Sequence, residues 1–327
     1  EQRFRASGDT FRVLVAGGGT GVTTLALARQ LSAVGGLQWS VVHLDLTPAS
    51  IAVAKRRRAA NGLSKHGTFV QASLYYVKLD QLGGEAFDYI DCAGVLHHTP
   101  DQDGGLANLA SLIHNTPSRV GGIGLMVYGT LGRSGIYEFR EQLRLLAGET
   151  PSAAKIALAR RLLSAAPSSH PLARNPNGGL AGYLSMDDQE LVDTLLHVHD
   201  VPYQVPGVYA LAKAAGLDVV SWPSWMQYEP CAYLGRPDPE LCQQTLSLDV
   251  SARYAFGELL AGNIQTHEFY LAPPGSNAVR HAPSSDAPVA ATTFASPFNG
   301  FVQSLALDAI PIVRACSDDL QSLCRLF

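Results

Sequence analysis

A glycine turn and one carboxylate are the parts of this chain whose types and spacing indicate a chemistry. Residues 12–21 read RVLVAGGGTG, an apolar run followed by glycines that include every second position from Gly17 to Gly21, and the apolar run 39–44 ends at Asp45. A strand, a glycine turn that opens a helix, and a second strand with an acid at its tip can hold a nucleoside. Glycine lets the backbone approach the ligand, and the acid accepts hydrogen bonds from ribose hydroxyls. The sequence therefore predicts a cofactor that carries a nucleoside.

The spacing of these glycines distinguishes between cofactors. A dinucleotide fingerprint needs a glycine at the position of Val22, and a phosphate-binding loop needs a lysine directly after Gly21, which is again Val22. A nucleotide-dependent oxidoreductase is therefore the weaker of the enzymatic alternatives.

Strand and helix patterns alternate along the chain. The predicted strands lie at 11–16, 39–45, 68–72, 87–93, 124–128, 218–222 and 268–271. The predicted helices lie at 20–34, 48–61, 106–114, 137–146, 153–165, 189–197, 208–215 and 252–261. This alternation predicts a parallel, doubly wound α/β sheet that binds its ligand at the carboxyl ends of the strands.

Three segments, in this order, resemble class I S-adenosylmethionine-dependent methyltransferases. Residues 13–21, VLVAGGGTG, resemble the family's first motif, the second strand ends at Asp45, and residues 87–101, FDYIDCAGVLHHTPD, resemble its fourth strand and following loop. Two positions depart from the family: Val15 stands where the first motif often has an acid, and Ser73 where an acid often contacts the adenine amine. The resemblance implies S-adenosylmethionine as the cofactor and a Rossmann-like, mostly parallel seven-stranded sheet with an antiparallel final strand.

The resemblance narrows to bacterial-type methyltransferase-domain proteins of unassigned substrate, some of them fused to tetratricopeptide repeats. Its further segments lie at 126–137, 195–206 and 258–270. It implies a cofactor-binding core, a helical insertion or lid between the fifth and sixth strands, the last two strands, and a linker with a C-terminal extension. These four parts span 1–136, 137–212, 213–271 and 272–327. Because 171–182 has few apolar residues to anchor it, we expect the insertion to be a mobile lid.

The resemblance also implies the cofactor contacts. The glycine turn borders the methionine part, the acid after the second strand the ribose, residues after the second and third strands the adenine, and the loop after the fourth strand the sulfonium. The residues implied in this way are Gly17, Gly18, Gly19, Thr20, Gly21, Asp45, Leu46, Ser73, Leu74, Ala93, Gly94 and Val95.

Methyl transfer from a sulfonium is an in-line displacement, for which a protein aligns two atoms and in some cases removes a proton. His97 and His98 follow the fourth strand, where the methyl group lies in this fold, so we predict that one of them lines the acceptor pocket or acts as the base. The alternative is that they cap backbone groups of the loop. Polar side chains on the rim of the cleft and in the insertion are predicted to contact the acceptor. They are Tyr128, Arg133, His197, His199 and Tyr203.

Three further groups have structural alternatives. Arg133 either clamps a carboxylate or phosphate of the acceptor or forms a surface salt bridge. The pair His197 and His199 with Asp200 resembles part of a zinc site, but no further pair has ligand spacing, so we predict no metal. His267, at the start of the final strand on the far side of the sheet, is predicted to be structural.

Composition limits the partners. The chain has 327 residues, a formal charge of −4 and no basic excess, which argues against nucleic acid, and no apolar stretch approaches the length of a membrane span. Its five cysteines form no C-x-x-C, so we expect reduced thiols and a cytoplasmic location. The predicted function is methyl transfer to a small-molecule acceptor, with homo-oligomer formation left open. Because of Val15 and Ser73, a non-catalytic cofactor sensor or partner subunit of the same fold remains the alternative.

Overall fold

The computed structural model describes residues 8–148, 153–175, 179–197 and 199–276. Seven strands form one sheet in the order β3-β2-β1-β4-β7-β9-β8, and β5 and β6 form a separate two-stranded sheet. The strands are β1 Phe11–Ala16, β2 Trp39–Asp45, β3 Phe69–Gln71, β4 Tyr89–Ala93, β5 Asn115–Thr116, β6 Arg119–Val120, β7 Gly122–Tyr128, β8 Asp218–Ser221 and β9 Thr266–Ala272. Within the large sheet only β9 runs antiparallel to its neighbours. The predicted fold class is confirmed, including the antiparallel final strand.

Eleven α-helices accompany these strands in the described part of the chain. They are α1 Val22–Ala33, α2 Pro48–Ala60, α3 Gln102–Ala110, α4 Ile136–Ala147, α5 Ala153–Ala165, α6 Gly179–Ser185, α7 Asp188–Leu195, α8 Val205–Ala214, α9 Pro230–Leu234, α10 Pro239–Thr245 and α11 Val250–Ala261. The helix predicted at 106–114 begins earlier, at Gln102, because the Asp101 side chain caps it by accepting from Gly104 N.

Successive residues of the central strands face opposite layers. Val13 and Val15 pack with Leu31 of α1 on one face of the sheet, whereas Leu14 packs with Leu106 of α3 on the other. This alternation follows from the two-residue period of a strand. Because β1, β2, β4 and β7 pair in parallel, their carboxyl ends lie at a common edge, from which the loops of the candidate site emerge.

The helical region after β7 has a hydrophobic core of its own, in which Phe139, Leu163 and Leu191 are fully or almost fully buried. The expectation that 171–182 lacks anchors is wrong for its described part. Leu172 is fully buried in this core, and Asn175 Nδ2 donates to the carbonyls of residues 132 and 134. The expected mobility of the insertion rested on a lack of anchoring residues in this stretch, and that argument therefore no longer holds.

Two of the cysteines correct a further expectation. Cys231 in α9 and Cys242 in α10 form a disulfide, because the two short helices form a hairpin that brings their Cα atoms to 5.0 Å. Cys92 is a buried free thiol, and the remaining two cysteines lie outside the described residues, as does most of the predicted linker and extension. Within the described ranges no helix is long and apolar enough to cross a membrane.

Candidate active site

The glycine turn after β1 packs against two other loops of the sheet edge. Gly17 N and Gly18 N both donate to the Leu44 carbonyl, at 2.8 and 3.0 Å. Gly17 has φ +74°, and a Cβ there would come within 2.5 Å of the Val95 side chain. Gly19 has φ +51°, and a Cβ there would meet no atom within 4 Å. The turn therefore needs glycine on one side for protein packing, while its other side faces open space.

Asp45 is oriented before any ligand binds. Its Oδ2 accepts from Gly19 N and its Oδ1 from Thr47 N, both at 2.8 Å. Arg57 of α2 donates to the Thr20 hydroxyl at 2.8 Å, which ties the turn to the next helix. The carboxylate thus sits at the glycine turn, where a ribose would be bound if the methionine part lies along Gly19.

The residues predicted for the adenine lie beside Asp45. Leu46 is 69% exposed, an unusual state for a leucine that follows a buried strand. Ser73 Oγ accepts from Tyr75 N at 3.3 Å, and the Leu74 carbonyl accepts from Asn108 at 2.7 Å. These hydrogen bonds fix the segment that contains Ser73 and Leu74, and the side chain of Leu46 presents an exposed apolar surface.

The loop after β4 runs from the glycine turn towards His97 and His98. Gly94 has φ +74° and donates to the Met126 carbonyl at 3.2 Å, Ala93 is exposed, and Val95 contacts Gly17. All the cofactor residues predicted from the sequence therefore lie along one edge of the sheet.

Asp91 of β4 is a candidate that the sequence reasoning missed. It is the register partner of Val15 in β1, so an acid stands beside the position where the family's acid is replaced. Tyr89 OH donates to its carboxylate at 3.2 Å, and burial raises the pKa of Asp91 to about 6. An acid within an apolar strand, two residues before the strand ends, is the sequence signal that could have found it.

Four aromatic rings and one guanidinium form a stack at the ends of β4 and β7. The His97 ring centroid lies 4.0 Å from that of Tyr128 and 4.1 Å from that of His98, and His98 lies 3.8 Å from His197. The guanidinium carbon of Arg133 lies 3.7 Å from the Tyr128 ring centroid. The two predicted catalytic histidines thus meet three of the predicted acceptor residues.

His97 is packed inside this stack. It is fully buried, and neither ring nitrogen makes a hydrogen bond of regular geometry within the part of the chain that the structure describes. Burial, followed by the neighbouring His98, lowers the pKa of His97 to about 2. The ring is therefore neutral and acts as packing between Tyr128 and His98.

His98 is held differently. Its Nδ1 lies 2.9 Å from the His199 carbonyl oxygen. Because a carbonyl only accepts, Nδ1 carries the proton, and in the neutral ring Nε2 keeps its lone pair. Burial lowers the pKa of His98 below 6.5, an effect that the contact with the His199 carbonyl opposes. His98 is thus a half-buried neutral imidazole with a defined tautomer.

Residues 199–205, which we call the arm, cross the ends of β4 and β7. Val201 N donates to the His97 carbonyl at 2.9 Å, and Tyr203 N donates to the Tyr128 carbonyl at 2.7 Å. His199 Nε2 lies 3.4 Å from Gln102 Nε2 at the start of α3. The arm therefore brings His199 and Tyr203 to the histidine stack by backbone pairing.

Asp200 of the arm is fully buried and pairs with Arg133 at 2.9 Å and with Arg140 at 3.0 Å. The alternative of a surface salt bridge for Arg133 is wrong, because its side chain is 6% exposed. The sequence reasoning considered Asp200 only as a metal ligand and missed this pairing, since 67 residues separate it from Arg133.

A cavity of about 250 Å³ lies behind His197, between α4, α5 and the end of α7. It is lined by Tyr137, Arg140, Glu141, Leu143, Arg144, Lys155, Leu195, Leu196, His197 and Asp200.

Among the described residues there is no group of three or more His, Cys, Asp or Glu side chains that could hold a metal ion.

The final strand, β9, lies towards the edge of the sheet opposite β3, as expected. Because β9 runs antiparallel to β7, its residue His267 pairs with Val127, next to Tyr128 at the end of β7.

Comparisons with known proteins relate the chain to methyltransferase domains and to solved structures of the same fold. Residues 14–116 match the family model described as a methyltransferase domain. An uncharacterized protein of Synechococcus sp. is 32% identical over 262 residues, which are 80% of this chain and 60% of the relative. The structure of PKMT2 from Rickettsia typhi in complex with AdoHcy superposes with a TM-score of 0.64 at 18% identity, over 81% of this chain and 49% of that one. A second structure of PKMT2 gives a TM-score of 0.62 at 18% identity, over 80% and 48%. At this identity the structures share the fold, and the chain spans about half to three fifths of the length of these relatives.

Proposed function

Since the chain carries a methyltransferase domain of the class I fold, we propose that it is an S-adenosylmethionine-dependent methyltransferase with a small organic acceptor. The observation that carries this proposal is the contact between the glycine turn and the loop that leads to His98, through Gly17 and Val95. It joins a nucleoside-binding turn to a titratable side chain along one sheet edge. AdoHcy, named with PKMT2, is the demethylated form of the same cofactor.

The residues present fit this cofactor. Open space beside Gly19, an oriented carboxylate at Asp45 and an uncovered apolar side chain at Leu46 match its methionine, ribose and adenine parts. When bound, the cofactor supplies a methyl carbon activated by a sulfonium. In this assignment Ser73 and Leu74 border the adenine, and Ala93, Gly94 and Val95 supply backbone near the sulfur.

We assign the ammonium group of the methionine part to Asp91. Val15 leaves the first-motif position apolar, and Asp91 stands beside it in register. A cation would restore the charged form of a carboxyl group whose pKa burial has raised. This assignment gives the chain an acid for the methionine part on β4 and not on β1.

We assign the proton-accepting role to His98 and a packing role to His97. His98 Nε2 keeps a lone pair because Nδ1 donates to the His199 carbonyl. The proton of an acceptor O–H or N–H would pass to this Nε2 as the acceptor atom attacks in line. His97 is too deeply buried to contact an acceptor.

The remaining acceptor residues fall into two groups under this proposal. The rings of Tyr128 and His197 flank the base, and His199 and Tyr203 belong to the arm above it. Arg133 acts through Asp200, since its guanidinium already has a carboxylate partner. A cytoplasmic location remains part of the proposal, although the disulfide removes the argument from free thiols.

Calorimetry with AdoHcy, methylthioadenosine and NAD tests the cofactor. We expect the first two to bind and NAD not to bind, whereas binding of NAD alone would overturn the proposal. Isotopically labelled S-adenosylmethionine and a metabolite extract then test the reaction, with His98→Gln as the matched control. Label in a small molecule supports the proposal. Cofactor binding without any labelled product would favour the sensor alternative, and label only in protein would replace the acceptor class.

A further inference from the structure

A second set of buried polar side chains lies against the end of the arm, opposite the glycine turn. His267 of β9 and Tyr228 are fully buried, and Glu258 of α11 is 1% exposed. His267 Nε2 lies 3.0 Å from the Tyr203 carbonyl and 3.2 Å from Glu258 Oε1, and Tyr228 OH lies 2.9 Å from His267 Nδ1. Glu258 Oε2 accepts from Val205 N at 2.7 Å.

The partners determine the direction of these hydrogen bonds. The Tyr203 carbonyl only accepts, so His267 Nε2 carries a proton. In the neutral ring, Nδ1 is then the acceptor of the Tyr228 hydroxyl. Two backbone groups of the arm, the Tyr203 carbonyl and the Val205 amide, are thus bound by side chains from β9 and α11.

The arm is held at both ends by buried charged or polar groups. Arg133 and Arg140 hold Asp200 near its start, and His267 and Glu258 hold Tyr203 and Val205 near its end. Between these points Val201 N donates to the His97 carbonyl after β4, and Tyr203 N donates to the Tyr128 carbonyl at the end of β7. Removing a carboxylate from water is costly, and apolar side chains could cover the sheet at lower cost. What the polar contacts add is a defined register of the arm.

That register matters because of the carbonyl at the start of the arm. The His199 carbonyl accepts from His98 Nδ1, and thereby determines which nitrogen of His98 carries the lone pair. A shift of the arm along β7 would move this carbonyl and release the ring. We propose that His267 and Glu258 are positioning residues, a latch that keeps the arm in the register in which His199 orients His98.

The latch rests on the proposed function for its kinetic readout, but not for its structural one. The test compares His267→Leu, which removes the donor to Tyr203, with His267→Gln, which keeps an N–H donor. The matched control is His114→Leu, a half-buried histidine near the opposite end of β4. Amide exchange, AdoHcy affinity and the pH profile of kcat/KM are measured for each variant.

We expect exchange of the arm amides to accelerate at least about tenfold in His267→Leu, since the variant lacks the donor to the Tyr203 carbonyl and the arm loses roughly one net hydrogen bond. Exchange in β1 and β2 and AdoHcy affinity should stay as in the wild type. The low-pH limb of the kcat/KM profile should move, because His98 loses its orienting contact, and His267→Gln should restore both readouts. His114→Leu should change neither the arm nor the profile.

Three results would overturn the latch. One is a folded His267→Leu variant with wild-type exchange in the arm. The second is uniform acceleration of exchange across the whole sheet without rescue by glutamine, which would mean that the residue only fills the core. The third is normal kinetics with a released arm. If His267→Leu does not fold, the same comparison is made at the Val205 amide with Glu258→Leu, which removes the acceptor, and Glu258→Gln, which keeps an oxygen acceptor. If the wild type binds no AdoHcy, the proposed function fails while the exchange experiment still decides the latch.

Discussion

Two regions of the candidate site differ in how their functional groups are held. We call the glycine turn with Asp45 the cofactor side and the histidine stack with the arm the acceptor side, after the ligands that we propose for them. On the cofactor side, the backbone amide of Gly19 donates to the carboxylate of Asp45, 26 residues away, and the exposed Leu46 and an open space lie beside them. On the acceptor side, the polar side chains bind other groups of the protein. His98 contacts a carbonyl 101 residues away, and Asp200 is buried between two arginines.

The two sides differ in how far the protein itself covers their groups. On the cofactor side, Leu46 is exposed and Gly19 faces open space, so substitutions there should change ligand binding more than folding. The acceptor side is satisfied by buried side chains, so substitutions there should change folding or the orientation of His98. The following predictions test this division.

The largest effect is expected at His98. His98→Gln removes the proposed base, and kcat should fall by about 10²–10⁴-fold, the usual size of general base catalysis, while AdoHcy affinity is unchanged. In the wild type, kcat/KM should fall as the pH drops through the His98 pKa, and the midpoint should lie below 6.5 because burial lowers that pKa. The variant should lose this limb. An unchanged kcat would show that the acceptor needs no base here.

Asp200→Ala should have the next largest effect, on stability. It leaves Arg133 and Arg140 without their shared buried carboxylate, and the loss is expected to be about 3–5 kcal/mol of unfolding free energy. Urea unfolding measures it. Asp188→Ala is the matched control, because the Arg160–Asp188 pair has an aspartate that is 68% exposed and should cost about 0–1 kcal/mol. Equal costs would mean that the acceptor side is not stabilised by burial.

Asp45→Ala tests the cofactor side. It should weaken AdoHcy and methylthioadenosine alike by about 1.5–3 kcal/mol, since both carry the ribose. Calorimetry measures both affinities, and Asp80→Ala, an exposed acid outside the site, should leave them unchanged. A folded Asp45→Ala variant with normal affinity would mean that this carboxylate does not hold the ribose.

Asp91→Asn should separate the two ligands. AdoHcy should weaken by about 2 kcal/mol through the lost ammonium contact, whereas methylthioadenosine, which has no amino acid part, should bind as before. Loss of affinity for both ligands would contradict the assignment.

The stability of the wild type depends on pH through the same residue, and the variant tests this. The folded-state pKa of Asp91 is raised to about 6 from 3.8. Its contribution to stability is therefore present below pH 3.8 and lost as the pH rises through about 6. The neutral Asn side chain removes this loss, so without ligand Asp91→Asn should unfold at higher urea than the wild type at pH 8. The advantage should shrink towards pH 5.

The division also explains how far the sequence could predict the molecule. The glycine turn, Asp45 and the loop after β4 are short local patterns, and the alternation of strands with helices predicts a parallel doubly wound sheet, so these features were predictable. The pairing of Arg133 with Asp200 and the contact of His98 with His199 depend on the path of the helical region after β7, which no local pattern encodes. Asp91 was missed because its position beside Val15 depends on the pairing of β1 with β4. Cys231 and Cys242 were read as free thiols because their partnership needs the α9–α10 hairpin.

The smallest effect is expected at Leu46. Its side chain is 69% exposed, so Leu46→Ser should leave the free energy of unfolding within about 0.5 kcal/mol of the wild type. If the adenine covers one face of this leucine, AdoHcy affinity should fall by about 1 kcal/mol, roughly half the value of burying a whole leucine. The matched control is Leu145→Ser in α4, which is 70% exposed and away from the glycine turn. A variant that binds normally would remove Leu46 from the adenine. A variant with a lower free energy of unfolding would show that this leucine stabilises the fold. That result would contradict the division between the two sides, because a cofactor-side substitution would then act through folding.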